Sequence, residues 1–324
     1  MRYIIFIISF IASILFAEAQ QKDVSYTLKK FSSSSIKSLD ATTVGGWVRV
    51  DGGSQKEASV EVILNPNGNS WRSKDGDLKT TFEREFDLEL GVSSGKLVAK
   101  VKRKNGKNGN SPLSISYIIT VPTTIHSQVK TAGGSIKMNN LKGNQVFSTA
   151  GGSLTASNLS GTIDGKTSGG SITATDCDGD IQISTSGGSI RMENLKGTII
   201  AKTAGGSITG KSVDGKLDAS TSGGSIRLEE ASGDIKAATS GGSVTASVTA
   251  VTSPLHFTTS AGSINLTLPK GSYDLDLSGS RVNVDHLQNF SGSTQKGNIK
   301  GSLNGGGYAV KATTSAGSVN LSWL

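Results

Sequence analysis

Cysteine, aromatic residues and long apolar runs are all scarce in this sequence. The 324 residues include a single cysteine, Cys177, so no intramolecular disulfide can form. Aromatic side chains make up 5% of the chain, whereas glycine contributes 42 residues. That combination predicts many backbone corners around a core with few bulky side chains. Beyond residue 19 no apolar segment is long enough to cross a membrane as a helix, so we expect no transmembrane anchor in the mature chain.

The one apolar run that the chain does contain lies at its start and has the form of an export signal. Arg2 supplies a positive charge, residues 4–16 are almost wholly apolar, and Ala17-Glu18-Ala19 places small residues around a cleavage point. We predict a signal peptide over residues 1–19, with cleavage before Gln20 and a mature protein in the periplasm or on the outer cell surface. No cysteine lies near this point, which disfavours a lipoprotein.

The mature chain carries an excess of positive charge. There are 33 lysine and arginine residues against 25 aspartate and glutamate residues, which gives a formal net charge of +8. Such a balance attracts anionic surfaces, and it also serves solubility alone. Both interpretations stay open, and the partners that we consider are an anionic cell-surface glycan, lipopolysaccharide or an envelope protein. Nucleic acid is not expected as a partner of an exported protein of this kind.

A hexapeptide, T-[A/S]-G-G-S-[I/L/V], recurs with a strict spacing of 18 residues. A fixed period over this length means that one structural unit is stacked on copies of itself. Stacked units that repeat one tight turn leave few places where an active site could be assembled, so the repeat bears on function as well as on fold. The motif begins at Thr131, Thr149, Thr167, Thr185, Thr203, Thr221 and Thr239.

Each period divides into two nine-residue halves in which apolar or small residues alternate. Alternation at period two predicts strands, and the glycine that opens each half predicts a corner. We therefore expect two short strands and two corners per coil. One coil buries too few large side chains to offset its own chain entropy, so neighbouring coils must stabilise it. A third inward position is predicted at Leu141, Leu159, Cys177, Leu195, Val213 and Ala231.

The repeat predicts an all-β fold, a right-handed parallel β-solenoid with 18-residue coils. A left-handed hexapeptide helix fits less well because the apolar positions do not recur every six residues, and a calcium-binding nonapeptide roll would need a recurrent Asp that is missing. We divide the mature chain into a β-rich N-terminal cap (20–125), the regular solenoid (126–250) and irregular C-terminal coils with a cap (251–324). Within the first cap, Asp51-Gly52-Gly53 is expected to be a turn.

Several features of the chain could carry chemistry, and each has a structural explanation beside it. Asp176-Cys177-Asp178-Gly179-Asp180 is similar to a calcium loop but lacks the downstream Glu of an EF-hand, which favours corner residues around a buried cysteine. The basic hairpin at residues 100–107 is either a ligand patch or a solvated hairpin tip. The serine and threonine columns of the motif either bind a ligand or satisfy corner hydrogen bonds. His126, His256 and His286 have no ligand spacing.

Four features of the sequence resemble a known family. On them, residues 40–324 resemble the bacterial putative-adhesin β-strand-repeat family, exported proteins of unknown function related to the head-GIN putative adhesin domains. The resemblance implies a right-handed β-solenoid and an envelope location, and it supplies no catalytic or binding residues to transfer. The four features are Gly45-Gly46-Trp47-Val48-Arg49-Val50, Ile119-Thr120-Val121-Pro122, the T-[S/A]-G-G-S-I coils, and Gly305-Gly306-Gly307-Tyr308 leading to T-S-A-G-S-V.

These observations predict an exported, non-enzymatic β-solenoid that acts as an adhesin or structural protein of the cell envelope. No residue is assigned a catalytic, cofactor-binding or metal-binding role, and no cofactor is expected. One alternative is a periplasmic accessory protein that binds an envelope partner. Another is a carbohydrate-active β-helix enzyme, which would need convergent carboxylates in a groove, whereas the acidic residues here do not recur in one column.

Overall fold

The 18-residue period forms one coil of a parallel β-solenoid in the structure, a computed structural model that describes residues 24–53, 56–67, 77–104 and 111–324. The predicted signal peptide lies outside these residues. In the regular part, each residue pairs with the residue 18 positions further on, as in Ile136, Leu154 and Ile172. The predicted all-β class and the parallel solenoid architecture are therefore confirmed.

The strands are numbered in chain order. The N-terminal part contains β1 (Val24–Ser32), β2 (Ser38–Thr43), β3 (Val48–Gly53), β4 (Glu57–Pro66), the helix α1 (Leu78–Glu85), β5 (Phe86–Ser93), β6 (Lys96–Arg103), β7 (Leu113–Pro122) and β8 (His126–Thr131). The regular coils are β9 (Ile136–Thr149), β10 (Leu154–Thr167), β11 (Ile172–Thr185), β12 (Ile190–Thr203), β13 (Ile208–Thr221) and β14 (Ile226–Thr239). The C-terminal part contains β15 (Val244–Ala250), β16 (Leu255–Thr259), β17 (Ile264–Leu268), β18 (Tyr273–Ser278), β19 (Arg281–Val284), β20 (Phe290–Gln295), β21 (Asn298–Leu303), β22 (Tyr308–Thr314) and β23 (Ser318–Trp323).

The two strands predicted for each coil are joined into one 14-residue strand that bends in its middle. The bend is made by a non-glycine residue in the left-handed region, such as Asn158 (φ 53°), and by a glycine three residues later, such as Gly161 (φ 110°). Asparagine and aspartate tolerate the left-handed region better than other side chains. They occupy the first bend position in four coils, and Ser212 and Glu230 occupy it in the last two.

The hexapeptide motif forms the other corner, where neighbouring coils touch through their backbones. Thr167 Oγ1 donates a hydrogen bond to the carbonyl oxygen of Gly152 in the preceding corner (2.8 Å) and accepts one from the backbone N–H of Gly170 (3.3 Å). A Cβ on Gly170 would lie 2.0 Å from that same Gly152 oxygen, so only glycine fits there. The first glycine, Gly169, has no neighbour closer than 3.6 Å to a Cβ.

The core follows the alternation that the sequence predicts. The third inward position is buried in every regular coil, from Leu141 to Ala231. Gln145 is the one polar side chain among the inward positions just after the bends, and it is fully buried. Its amide donates to the carbonyl oxygen of Ile125 at 2.7 Å and its side-chain oxygen accepts from the Ser127 hydroxyl, so its polar atoms are satisfied.

Two walls enclose this core, and both extend beyond the regular coils. The first wall consists, in spatial order, of β7, β3, the leading halves of β9 to β14, then β15, β17, β23 and β19. The second wall consists of β6, β2, β8, the trailing halves of β9 to β14, then β16, β22, β18 and β21. Neighbouring strands in each order are hydrogen-bonded to one another.

This order shows that the caps are interleaved rather than stacked in chain order. The first coil of the chain, β2 and β3, lies between the coil of β6 and β7 and the coil of β8 and β9. At the other end, the last coil, β22 and β23, lies between β16–β17 and β18–β19. The first and the last coil are thereby each inserted one layer into the solenoid.

The outermost layers of the N-terminal end are antiparallel and include the helix. β4 pairs with β7 and carries β1 on its free edge, while β5 pairs with β6. Asp77 caps α1 by accepting from the backbone N–H groups of Lys79 and Thr80. Phe82 of α1 is buried between Tyr26 and Phe86, with ring centroids 4.6 and 5.6 Å away. The helix was not predicted from the sequence.

The turn predicted at Asp51-Gly52-Gly53 is wrong. All three residues lie in β3, which pairs with β7 on one side and β9 on the other. Gly52 is required for a different reason, because a Cβ there would lie 1.9 Å from the carbonyl oxygen of Asn140 in the next coil. Here the glycine marks close contact between coils and not a turn.

The close contact at the corner predicts opposite outcomes for two adjacent glycines. We expect Gly170→Ala to lower the free energy of unfolding by about 3 kcal/mol or more, because backbone atoms of the preceding coil would have to move. The control is Gly169→Ala, which meets only ordinary contacts and should change stability by less than about 1 kcal/mol. Denaturant unfolding of both variants measures the difference, and equal losses would contradict this account of the corner.

The left-handed bend predicts that one coil can be stabilised by a substitution. Glu230 has a φ of 54°, a conformation that costs a non-glycine residue roughly 1–2 kcal/mol and that asparagine tolerates. We expect Glu230→Asn to raise the free energy of unfolding by about 1 kcal/mol. The reverse change, Asn194→Glu, should lower it by a similar amount in chemical denaturation. A destabilised Glu230→Asn protein would mean that backbone conformation does not govern this position.

Candidate functional site

The two columns of the motif differ in exposure: the threonines are buried, whereas most of the serines are exposed. The motif threonines are buried, and each bridges two coils in the manner of Thr167. The motif serines accept hydrogen bonds from the next coil, as Ser189 Oγ does from the backbone N–H of Ser207 at 3.2 Å. The corner interpretation therefore describes these residues, and the threonine hydroxyls are not accessible to a ligand.

The basic hairpin is largely neutralised by its neighbours. Lys100 pairs with Asp40 at 2.6 Å, Arg103 with Glu85 at 3.3 Å, and Lys104 with Asp87 at 3.7 Å. Strand β5 supplies Asp87 and Glu85 lies directly before it, so adjacent segments carry opposite charges. Lys107 lies outside the described residues. A dedicated anion-binding hairpin is not supported by these contacts.

The string Asp176 to Asp180 forms a bend of one coil. Asp176 takes the left-handed bend position (φ 53°) and Gly179 the following glycine position (φ 116°). Cys177 points into the core, where its Sγ lies 3.3 Å from the carbonyl oxygen of Thr175. Burial raises the pKa of the Cys177 thiol, and the nearby charges of Asp176 and Asp178 raise it further. A buried thiol with a raised pKa is a poor nucleophile.

The three histidines lie far apart in the fold. His126 is on β8 and accepts a hydrogen bond at Nδ1 from the backbone N–H of Asn144 (3.1 Å), His256 is on β16, and His286 follows β19. Within the described ranges, no group of three or more His, Cys, Asp or Glu side chains could hold a metal ion. In the same part of the chain, no helix has the length and apolar character needed to cross a bilayer.

A cleft of about 640 Å³ opens at the C-terminal end of the solenoid. Trp323 forms one side of it and stacks on Tyr273, with ring centroids 6.0 Å apart and planes 5° from parallel. The indole Nε1 donates to the carbonyl oxygen of Asp285 at 2.5 Å, which fixes the ring. Burial raises the pKa of Tyr273. The polar side chains of the cleft belong to Lys270, Asp285, His286, Gln288, Asn289 and Asn304.

Several residues of this cleft have uncommon backbone conformations. His286, Asn289 and Asn304 all have positive φ, a conformation that clusters at ligand sites. The Asn304 amide is engaged with the carbonyl oxygen of Gly271 at 2.8 Å. Lys270 and Asp285 are exposed to solvent. An indole flanked by polar groups can hold a small polar molecule such as a sugar. Sequence reasoning did not find this cleft, because its walls come from segments up to 54 residues apart.

The chain belongs to the Toastrack DUF4097 family, whose model matches residues 114–322. That span includes the regular coils and almost the whole C-terminal part. The family assignment agrees with the resemblance drawn from the motif and with the solenoid architecture. No curated protein sequence matches the chain.

Three solved structures are similar to the chain over most of its length. One is a putative cell adhesion protein from Clostridium sporogenes (11% identity, TM-score 0.22, covering 94% of this chain and 100% of that one). Another is a putative adhesin from Bacteroides fragilis (13% identity, TM-score 0.30, covering 94% of this chain and 98% of that one). A third is a putative lipid binding protein from Parabacteroides distasonis (13% identity, TM-score 0.35, covering 91% of this chain and 96% of that one). At these TM-scores the likeness supports no statement about the function of this chain.

The burial of Cys177 predicts an unreactive thiol. In the folded protein at pH 8 we expect no reaction with a soluble disulfide reagent, and one thiol per chain should react in denaturant. Because folding raises the thiol pKa above its ordinary 9.0, the thiol's contribution to stability is complete below pH 9.0 and is lost as the pH rises through the folded pKa. Cys177→Val should remove that alkaline loss. Fast labelling of the native protein would contradict the buried position.

Proposed function

We propose that the protein is exported and acts as a non-enzymatic adhesin or structural protein of the cell envelope, meeting its ligand on an extended wall of the solenoid. This proposal rests on the burial of the threonines at the hexapeptide corners. The corner threonines are buried between neighbouring coils, as at Thr167, so the outward side chains of the two walls and the exposed motif serines are left for a partner. A wall offers many weak contacts in register rather than one enclosed pocket.

Two further observations support binding rather than chemistry. The titratable groups of the C-terminal cleft, Lys270, Asp285 and His286, are exposed, whereas catalytic groups are commonly held in sites that exclude water. The thiol of Cys177, which would be the obvious candidate for a catalytic nucleophile, is buried in the core. A saccharide turnover assay tests the enzyme alternative directly, and turnover that is abolished by a cleft substitution would overturn the non-enzymatic assignment.

A second candidate is a periplasmic accessory protein that binds a small envelope molecule. The observation that favours it is the cleft beside Trp323, which has an aromatic wall and a polar rim. Titration of the purified protein with neutral and acidic envelope sugars would test it, with Trp323→Ala as the binding-deficient variant. Because Trp323 stacks on Tyr273, the thermal unfolding of the variant must be compared with that of the unaltered protein before a loss of binding is interpreted.

The side of the membrane on which the protein acts is tested by protease treatment of intact cells. An antibody against the mature chain reports cleavage, and a known periplasmic protein serves as the control. If the protein is exported and adhesive, it should be cut while the periplasmic control survives. Tight β-solenoids resist proteolysis, so a copy with a protease site introduced into residues 105–110 is treated in parallel.

Survival of both versions until the outer membrane is opened would contradict the adhesin proposal. Such a result would place the mature chain in the periplasm and favour the accessory protein. Absence of the protein from the envelope fractions altogether would contradict the export signal as well.

A further inference from the structure

Lysines recur on every second rung of the second wall. Thirteen strands follow one another along this wall, and its two outward columns hold a lysine on the first strand and on each alternate strand after it. Since neighbouring strands lie roughly 4.8 Å apart, successive lysines are about 9.6 Å apart and the row is about 58 Å long. We name it the lysine row: Lys100, Lys130, Lys166, Lys202, Lys236, Lys311 and Lys300.

Hydroxyl side chains occupy the rungs between these lysines over most of the row. Thr42 lies between Lys100 and Lys130, and Ser148 lies between Lys130 and Lys166. Ser184 and Ser220 continue the pattern on the next intervening rungs, and all four side chains are partly exposed. The wall therefore presents a cation and a hydroxyl in strict alternation over eight strands.

The row is created by the fold and cannot be seen in the sequence. Lys130, Lys166 and Lys202 are 36 residues apart and follow from the repeat. Lys100 joins them only because β6 is placed outside β2. Lys311 joins because β22 is inserted against β16. The alternation thus continues through both interleaved caps, where no sequence period exists.

Repulsion between like charges accounts for part of this pattern but not for all of it. Lysines on adjacent rungs would destabilise the wall, which explains why they are spaced. It does not explain why a lysine returns at each permitted rung on one wall. On the first wall, three successive strands each carry an outward basic residue: Arg191 on β12, Lys211 on β13 and Arg227 on β14. Acidic residues accompany them there, Glu193 on β12 and Glu229 on β14.

The row is exposed and carries an excess of positive charge. Six of the seven lysines are exposed, and Lys100 is partly buried. Two of them form ion pairs, Lys100 with Asp40 and Lys166 with Asp164. Within the described residues no ion pair involves the other five. Four aspartates lie in the same two columns, so seven lysines leave a local charge of +3.

We propose that the lysine row binds one extended chain of a linear acidic polysaccharide lying along the second wall. Each exposed lysine meets an anionic group of the polymer, and the serine and threonine hydroxyls between them hydrogen-bond to sugar hydroxyls. A flat wall with cations at a regular interval is complementary to a polymer with charges at a regular interval. This inference rests on the proposed binding function and names its surface and its ligand class.

The same features argue against two other polyanions. A single nucleic acid strand carries a phosphate about every 3.4 Å and is held by stacking on aromatic side chains. No phenylalanine, tyrosine or tryptophan lies in the two outward columns between β6 and β18. An anionic membrane is attracted by basic clusters and apolar side chains spread over an area, whereas this row is one lysine wide.

The test compares two triple variants with equal net charge. The row variant is Lys130→Gln/Lys202→Gln/Lys236→Gln, and the control is Lys137→Gln/Lys196→Gln/Lys211→Gln, whose three lysines are exposed elsewhere on the solenoid. The probe is polygalacturonate, measured by calorimetry at several salt concentrations. We expect the row variant to bind about tenfold more weakly and with a smaller salt dependence. The control should stay within about threefold of the unaltered protein.

Chain length provides a second measurement that needs no variant. Affinity for galacturonate oligomers should rise with length until the oligomer reaches about 58 Å and then level off. Equal losses in the two triple variants, an affinity that levels off at two or three sugars, or binding to anionic phospholipid vesicles without binding to polygalacturonate would each overturn the proposal. These measurements use purified protein, so they are independent of the cell experiment. If the protein binds polygalacturonate but is not exposed on the cell surface, the proposed ligand of the lysine row stands and only the adhesin function is contradicted.

Discussion

The backbone contact at the hexapeptide corner is the constraint on which the rest of the structure depends. A carbonyl oxygen such as that of Gly152 accepts a hydrogen bond from a buried threonine and lies where the Cβ of the next coil's Gly170 would be. This contact fixes the distance between coils at one corner, and the glycine at the bend fixes it at the other, where a Cβ on Gly179 would lie 2.2 Å from the carbonyl oxygen of Gly161. Small core residues such as Ala174 are sufficient because the coils are already held together at both corners.

This constraint also divides the surface by role. The corners have no room for long loops and their threonine hydroxyls are buried between coils, so variation between coils is confined to the outward positions of the walls. There Thr173, Arg191 and Thr209 can follow one another without altering the coil. A solenoid with invariant corners and variable walls is suited to present charges at a fixed interval, which is how both the proposed binding function and the lysine row arise from one architecture.

The repeat made the regular coils predictable from the sequence, including the buried position of Cys177 and the internal use of the motif threonines. The caps were not predictable in the same way, because β2 and β22 are placed between coils that are distant in sequence. The helix α1 lies outside the 18-residue repeat, and its capping residue, Asp77, has no repeat to mark it. The C-terminal cleft and Lys311 depend on that same interleaving, so neither the site nor the row could be assembled from spacing alone.

Because every regular coil makes the same corner contacts with the coils on either side, the 18-residue coils are interchangeable layers. The most direct test removes one layer: deletion of residues 186–203 joins Thr185 to Ala204 and restores an intact motif. The account predicts a folded protein with a cooperative unfolding transition, shorter by about 4.8 Å in solution scattering. Deletion of residues 187–203, one residue fewer, should disrupt the corner and lower stability sharply. Equal stability of the two deletions, or unfolding of both, would contradict the claim.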